Sequence, residues 1–386
     1  MKPFINIYHT SLNKWNEELC GDQIRVLRTA EKTRVVLSDG LGSGVKANIL
    51  ASLTAEIVIN MLREEASLQD AVETVVHTLP VCKERLIAYA TCTVIEIDHR
   101  NLDFHIYNFD GPPPLLFRKG KYLPRNYHEE RMYGRRIMMT QGSLQYGDLM
   151  VSFSDGVLYA GSSQTMNYAW DTEAIIKFIE NIFQYHPTSA YTFVHMTMNR
   201  TRELYQDRPL DDASMVGLYV RPSQPVMVFT GPPIDVHDDC QVVHRLMSFE
   251  GTRIVCGGTT ANIVAECTKQ KIQTDMSTMR EDSPPIGVLQ GIDLVTEGIL
   301  TLNKASELIE QCGGDIHKLP DERTGGVLLA LALLNADEVT FMVGQAINSY
   351  YQNPHLPKSM SIRRNLVEKI CAQLQKLDKP VSIEYY

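Results

Sequence analysis

Val35-Val36-Leu37-Ser38-Asp39-Gly40-Leu41-Gly42-Ser43-Gly44 is the stretch on which the reading of this chain turns. The β-branched, apolar run at 34–38 predicts a strand, and Asp39-Gly40 ends it. Apolar residues at 49, 50, 53, 57 and 61 then predict a helix from Lys46 to Leu62. Strand, glycine turn and helix follow one another, with Asp39 one residue past the strand. Val151-Ser-Phe-Ser-Asp155-Gly156 repeats the arrangement at the end of a second apolar stretch, and Leu210-Asp211-Asp212-Ala-Ser-Met-Val216 places acids ahead of a third. Cys20-Gly21-Asp22 adds another acid beside a glycine. Hard divalent cations demand carboxylate oxygens, and strand ends on a rigid sheet can hold such oxygens in one place.

Taken singly, each Asp-Gly pair is a turn signal. The set points to a site. A carboxylate that bridges two cations about 3.5–4 Å apart is the usual centre of a binuclear arrangement, and Asp39 is the candidate bridge. Gly40 leaves room for its carbonyl to approach a hydrated ion. Asp155, Asp211 and Asp22 are the further candidates. Carboxylates brought this close do not all ionise comfortably at neutral pH without a cation. With Mg²⁺ or Mn²⁺ held by few protein ligands and several waters, a shared water becomes acidic enough to attack phosphorus.

The 386 residues suggest two or three domains, and 44% apolar with 22% charged residues is the composition of a folded, soluble chain. A net charge of −9 argues against a general nucleic-acid surface, which needs a basic stripe to displace counterions. The eight cysteines show no CxxC pair and no zinc-finger spacing, so buried free thiols are expected. The N-terminus lacks the apolar core of a secretory signal, and no apolar run, Val327 to Leu334 included, reaches the length of a membrane span. A cytoplasmic protein without membrane contact is the expectation.

Up to about residue 221 strands and helices are mixed. Residues 90–98 and 102–108 alternate as half-buried strands joined by a short connection that suits a hairpin, which implies antiparallel sheet. Another strand is expected at 149–153, helices at 173–186 and 189–205, and a closing strand at 214–220. Arg221-Pro-Ser-Gln-Pro225 breaks the pattern and divides a domain of residues 1–222 from one of 226–386. The second reads as α/β: strand 226–229, helix 239–248, strand 252–256, a Gly257-Gly258-Thr259-Thr260 turn, a helix from about 261 and a long helix near 303–311. Residues 339–343 read as a strand, and 327–334 as a strand or a buried helix.

Ser38-Asp39-Gly40-Leu41-Gly42-Ser43-Gly44 closely resembles a motif of the stage II sporulation protein E family, a bacterial branch of the metal-dependent type 2C serine/threonine protein phosphatases. Cys20-Gly21-Asp22 resembles the family's first Gly-Asp motif, and Phe109-Asp-Gly-Pro-Pro-Pro-Leu-Leu116 its Pro-rich turn. Gly147-Asp148 through Ser154-Asp155-Gly156 is similar to its second Asp-Gly motif, and Asp211-Asp212-Ala213-Ser214 to its last. The motifs occur in order over roughly residues 15–220, which is more specific than any one of them. The resemblance implies an α+β fold, a two-sheet antiparallel β-sandwich flanked by helices, with two Mn²⁺ or Mg²⁺ ions in a cleft at the sheet ends. It implies that Asp39 bridges the ions, that Gly40 offers a carbonyl, that Asp155 and Asp211 ligate, and that Asp22 contacts bound water or a further ion. The implied partner is a phosphorylated protein, a bacterial regulator of the anti-sigma-antagonist type, with a regulatory partner or a homodimer as a further assembly. Two departures stand out: no arginine precedes Asp22 to grip phosphate, since Arg25 and Arg28 lie beyond it, and Ser214 replaces the usual threonine.

Nucleotide motifs fail in the same stretch. Val45 stands where a dinucleotide fingerprint needs its third glycine, and Lys46 is followed by Ala47 rather than the Ser or Thr of a P-loop. In the second domain the Gly257-Gly258-Thr-Thr turn could hold an anion on free N–H groups, although a plain turn is the simpler reading. His237, Asp238, Asp239, Cys240 and His244 match no common metal spacing and read as a polar loop and helix start. Tyr350-Tyr351 and Tyr385-Tyr386 read as surface aromatics. The rival to an enzyme is a catalytically silent phosphatase-fold module that senses a partner, with residues 226–386 in a regulatory role.

Overall fold

The computed structural model describes residues 2–78, 90–132, 135–161, 170–186, 188–280, 283–346, 358–377 and 379–386. Tyr350-Tyr351 lies outside them. The chain divides into two compact units, Met1–Pro222 and Ser223–Tyr386.

In the first unit, β1 (Pro3–Leu12), β2 (Asp22–Arg28) and β3 (Lys32–Gly40) lead into α1 (Gly44–Arg63) and α2 (Leu68–Thr78). Strands β4 (Ala90–Asp98), β5 (Asp103–Phe109), β6 (Leu115–Arg118), β7 (Lys121–Tyr122), β8 (His128–Met132), β9 (Arg135–Ser143) and β10 (Leu149–Phe153) follow. Helices α3 (Asp155–Leu158), α4 (Thr172–Tyr185) and α5 (Ala190–Leu204) precede β11 (Ala213–Pro222). Two antiparallel sheets result, ordered β1-β11-β10-β6-β7 and β2-β3-β4-β5-β9-β8.

The continuous apolar run of β3 is explained by what covers it. Val35 and Leu37 face inward, in one buried cluster with Ile5, Val216, Leu218 and Val220 of the other sheet. Val36 faces the opposite way, against Ala55, Val58, Ile59 and Leu62 of α1. A strand buried on both faces has no reason to alternate. On the outer face of the β1-containing sheet, Leu149, Val151 and Phe153 pack with Ile175, Ile179 and Ile182 of α4 and with Phe193 and Val194 of α5. The order of layers is therefore helix, sheet, sheet, helix. Arg34, 2% exposed, is held between β4 and the end of α1 by Glu96 at 2.7 Å and by both carboxylate oxygens of Glu65 at 3.1 and 3.0 Å.

Some expectations need correction. Asp39 and Gly40 lie within β3, because their backbones remain paired with Thr91 and Ala90 of β4. By length and composition α1 could cross a membrane, which the sequence reading had denied for every run. One face of it, with Ala55, Val58, Ile59 and Leu62, is buried against the sheet, while Val45, Ile49 and Leu53 on the other are exposed.

The second unit contains β12 (Pro225–Thr230), α6 (Asp239–Met247), β13 (Thr252–Cys256), α7 (Gly258–Thr268), β14 (Gln273–Asp275), β15 (Ile286–Leu289) and β16 (Ile292–Thr296). It continues with α8 (Ile299–Cys312), α9 (Gly325–Asn335), β17 (Glu338–Val343), α10 (Lys358–Gln375) and β18 (Val381–Tyr385). The sheet order is β14-β15-β16-β13-β12-β17-β18, parallel from β16 to β18. Helices α8, α9 and α10 cover one face and α6 and α7 the other. Residues 327–334 are helical, and the helix after Gly257 begins at Gly258, earlier than expected. Cys240 and Cys267 are not free thiols: they are disulfide-bonded, with Cα atoms 5.4 Å apart, and join α6 to α7.

Gly40 tests the join between β3 and α1. A Cβ there would stand 2.2 Å from the Ala47 carbonyl oxygen, so any side chain must push α1 away. Gly40→Ala is expected to cost about 2–4 kcal/mol. Gly111→Ala, whose Cβ would meet nothing nearer than 3.5 Å, should leave the melting temperature almost unchanged. Equal melting of the two variants would contradict this packing.

Candidate metal centre

Backbone register delivers the acids. Antiparallel pairing sets Asp22 of β2 directly opposite Asp39 of β3, which puts both side chains on one face. Asp155 opens α3 one residue beyond Ser154 at the end of β10, and Asp211-Asp212 leads into β11, the neighbour of β10. Ser154 stitches the two sheets at this end. Its hydroxyl donates to Asp22 Oδ2 at 2.7 Å and accepts from the Ser214 N–H at 2.9 Å, while its own N–H donates to the Ser214 carbonyl at 2.9 Å. A Cβ on Gly156 would stand 2.0 Å from the Asp212 carbonyl oxygen, so the glycine after Asp155 is what lets the Asp212 backbone lie against it.

The result is a concentration of negative charge in a poorly solvated place. Asp39 is pushed well above the usual carboxylate range by burial and then by Asp22, Asp155 and Asp211. Asp22 is raised by burial, with Asp212 and Asp155 adding repulsion against the hydrogen bond from Ser154. Asp211 is raised by burial and by Asp155, and the Asp212 N–H and the charge of Lys14 act the other way. The Cys20 thiol nearby is pushed up to about 12 by burial and by Asp22, so it stays protonated.

Whether such a pocket suits a divalent cation can be judged from its lone pairs. Asp22 Oδ1 and Asp212 Oδ2 are buried and accept no hydrogen bond from an amide or hydroxyl group, and only a protonated Asp39 carboxyl beside Asp22 could donate to it. Orphaned carboxylate oxygens are costly unless a cation or a proton meets them. Among the described residues no three His, Cys, Asp or Glu side chains are already gathered about one point. Mg²⁺ and Mn²⁺ sites built from one or two carboxylates and several waters do not require that. The residues present fit the ions on these grounds.

The structure thus brings Asp22, Asp39, Asp155 and Asp211 to one end of the sandwich. It adds three residues that the sequence reading gave no role. Asp212 is 4% exposed and accepts from the Lys14 N–H at 3.0 Å. Ser154 was legible in principle, since serine precedes the acid in both Ser38-Asp39 and Ser154-Asp155. Lys14, on the connection after β1, had no sequence signal. Ser214, the departure from threonine, donates its hydroxyl to Ser11 Oγ at 2.7 Å. Asp148, part of the same motif as Asp155, stands apart: Arg118 clamps it at 2.6 to 3.1 Å. Arg25 is engaged by Glu56 and Gln23, and Arg28 lies over the Phe4 ring.

An antiparallel sandwich between helical layers, with acids at one end, is the arrangement of the type 2C phosphatase class. The family model described as stage II sporulation protein E matches residues 29–221, and the chain belongs to that family. Among solved structures, the phosphatase domain with a regulatory fragment of SpoIIE from Bacillus subtilis is 16% identical. That match covers 57% of this chain and 64% of the other, with a TM-score of 0.46. The RsbU and RsbW domains of Rv1364c from Mycobacterium tuberculosis are 15% identical over 69% of this chain and 70% of theirs, with a TM-score of 0.45. RsbX in complex with magnesium is 16% identical over 55% of this chain and 94% of its own, with a TM-score of 0.40. No curated protein matches the chain.

Charge crowding makes a thermodynamic prediction. Asp39→Asn replaces a carboxyl that folding forces to take up a proton beside the other acids, so at neutral pH in chelator its melting temperature should exceed that of the parent. Mn²⁺ should raise the parent's melting temperature and the variant's much less. A parent unmoved by Mn²⁺ would speak against the centre.

Proposed function

We propose that the first unit is a Mg²⁺- or Mn²⁺-dependent serine/threonine phosphoprotein phosphatase. The observation that carries the reading is the convergence of Asp22, Asp39, Asp155 and Asp211 from two sheets, with buried carboxylate oxygens among and beside them that accept no hydrogen bond from an amide or hydroxyl group. Asp39, Asp155 and Asp211, with Asp22 through water and the Gly40 carbonyl, are the residues that would hold two ions. Bound ions would supply charge neutralisation and an acidified water for attack on phosphorus.

The protein's own contribution is position. Asp22 is fixed by Ser154, and Asp39 by its place in a paired strand, so neither has to be ordered at the moment of reaction. Lys14 is our candidate for the group that attracts the substrate phosphate in place of the missing arginine, because its charge already acts on Asp211. Phosphoryl transfer asks little else of side chains, since its transition state is stabilised mainly by charge and alignment. By family resemblance the substrate is a small phosphorylated bacterial regulator of the anti-sigma-antagonist type, and the action of the second unit is regulatory.

Asp39→Asn and Asp155→Asn should each abolish Mn²⁺-dependent hydrolysis of a phosphoserine protein and of p-nitrophenyl phosphate while far-ultraviolet circular dichroism stays unchanged. Retained turnover in both would remove the proposal. Lys14→Met should raise KM for the phosphoprotein about tenfold and change kcat less, as expected when a ground-state contact to phosphate is lost. An unchanged KM would release Lys14 from this role.

A further inference from the structure

In the second unit the chain passes from β12 through β13 to β16 in one direction, and from β17 to β18 in the other. The reversal falls between β12 and β17. In open α/β sheets such a switch point, at the carboxyl ends of the strands, is where ligands bind. Here that edge is lined with residues that have no side chain. Thr230 is in register with Cys256 on one side and Val343 on the other, and each of the three is followed by glycine: Gly231, Gly257 and Gly344.

The helix that begins at this edge has no side-chain hydrogen bond from its N-cap residue. Gly257, with φ +124°, is the N-cap of α7 and offers no side-chain acceptor, and a Cβ on Gly258 would meet nothing within 4 Å. Among the described residues nothing fills the space into which a Gly258 side chain would project, at the positive end of this eleven-residue helix. It is tied to β12 by the Gly231 N–H, which donates to Thr260 Oγ1 at 2.9 Å.

Two side chains nearby lack the partners their burial requires. The Thr230 hydroxyl is completely buried and makes no hydrogen bond. Thr230 alternates with Val226 and Val228, so it faces the side on which Val367 and Ile370 of α10 pack. Arg363, one helical turn before Val367, comes from that same side. Its Nη1 is 2.4 Å from where a Gly231 Cβ would be, and the hydrogen bond it makes, to the Gly344 carbonyl, is long at 3.4 Å. Burial holds its pKa below the usual guanidinium value, and among the described residues no acid compensates it. A hydroxyl, a guanidinium and a helix N-terminus are all donors, and the ligand that satisfies all three is an oxyanion. Their attachment to three different elements suits the several oxygens of a phosphoryl group better than a flat carboxylate.

We propose that the second unit binds the phosphoryl group of a small phosphorylated molecule at this edge, with the Gly258 end of α7, the Thr230 hydroxyl and the Arg363 guanidinium as donors. The site is independent of the phosphatase reading. It is tested by calorimetric titration of the full chain carrying Asp39→Asn, in EDTA, so that the acidic centre of the first unit takes no part. Inorganic phosphate and adenosine monophosphate are the probes. Binding of either supports the proposal, and a preference for the nucleotide identifies it as the source of the phosphoryl group. Gly258→Asp, which fits the open space and favours the helix end, should abolish binding without lowering the ligand-free melting temperature. Arg363→Met should weaken binding at least about tenfold. Thr230→Val should weaken binding while raising the ligand-free melting temperature, because a buried, unsatisfied hydroxyl is lost. No binding of either probe in the millimolar range, or affinities unchanged in Gly258→Asp and Arg363→Met, would overturn the proposal.

Discussion

Carboxylates packed together away from water repel one another and lose their hydration, and the first unit holds a set of them at one end of its sandwich. Asp22 and Asp212 are 2% and 4% exposed, and each has an oxygen that accepts no hydrogen bond from an amide or hydroxyl group. A buried acceptor left in that state costs about 1–3 kcal/mol. The surrounding architecture has to be rigid enough to keep these groups where they are, since relaxation into solvent would relieve the repulsion.

That rigidity comes from backbone pairing. Asp22 and Asp39 are opposite each other because β2 and β3 are in register from Arg28–Thr33 to this end. Ser154 and Ser214 bond across β10 and β11 and carry the link to Asp22 on the other sheet. The strands that carry the acids are covered on both faces, inward by the partner sheet and outward by α1 over β3 and by α4 and α5 over β10 and β11, which leaves them little freedom to shift. The glycines beside the acids belong to the same construction. Gly40 admits the first turns of α1, and Gly156 admits the backbone of Asp212.

Much of this was written locally in the sequence. The apolar run before Asp39, the hairpin at 90–108 and the helical stripe of α1 each follow from periodicity over a few residues. The acids were legible because each sits beside a glycine at the border of an apolar stretch. What escaped was non-local. Lys14 reaches the cluster through the Asp212 carboxylate, 198 residues away, and nothing in its neighbours signals that contact. The pairing of Cys240 with Cys267 depends on two helices meeting. Residues 327–334 remained ambiguous because a run that is apolar at every position has no amphipathic period by which helix and strand differ. The membrane-length apolarity of α1 was missed because Lys46 and Glu56 interrupt the run to the eye, yet leave its mean hydropathy high enough for a span.

The most direct test is to locate the cations. A crystal grown with Mn²⁺, measured at the manganese absorption edge, should show two anomalous peaks about 3.5–4 Å apart with an Asp39 oxygen between them. Peaks confined to other parts of the molecule, or none beside Asp39, would contradict the account.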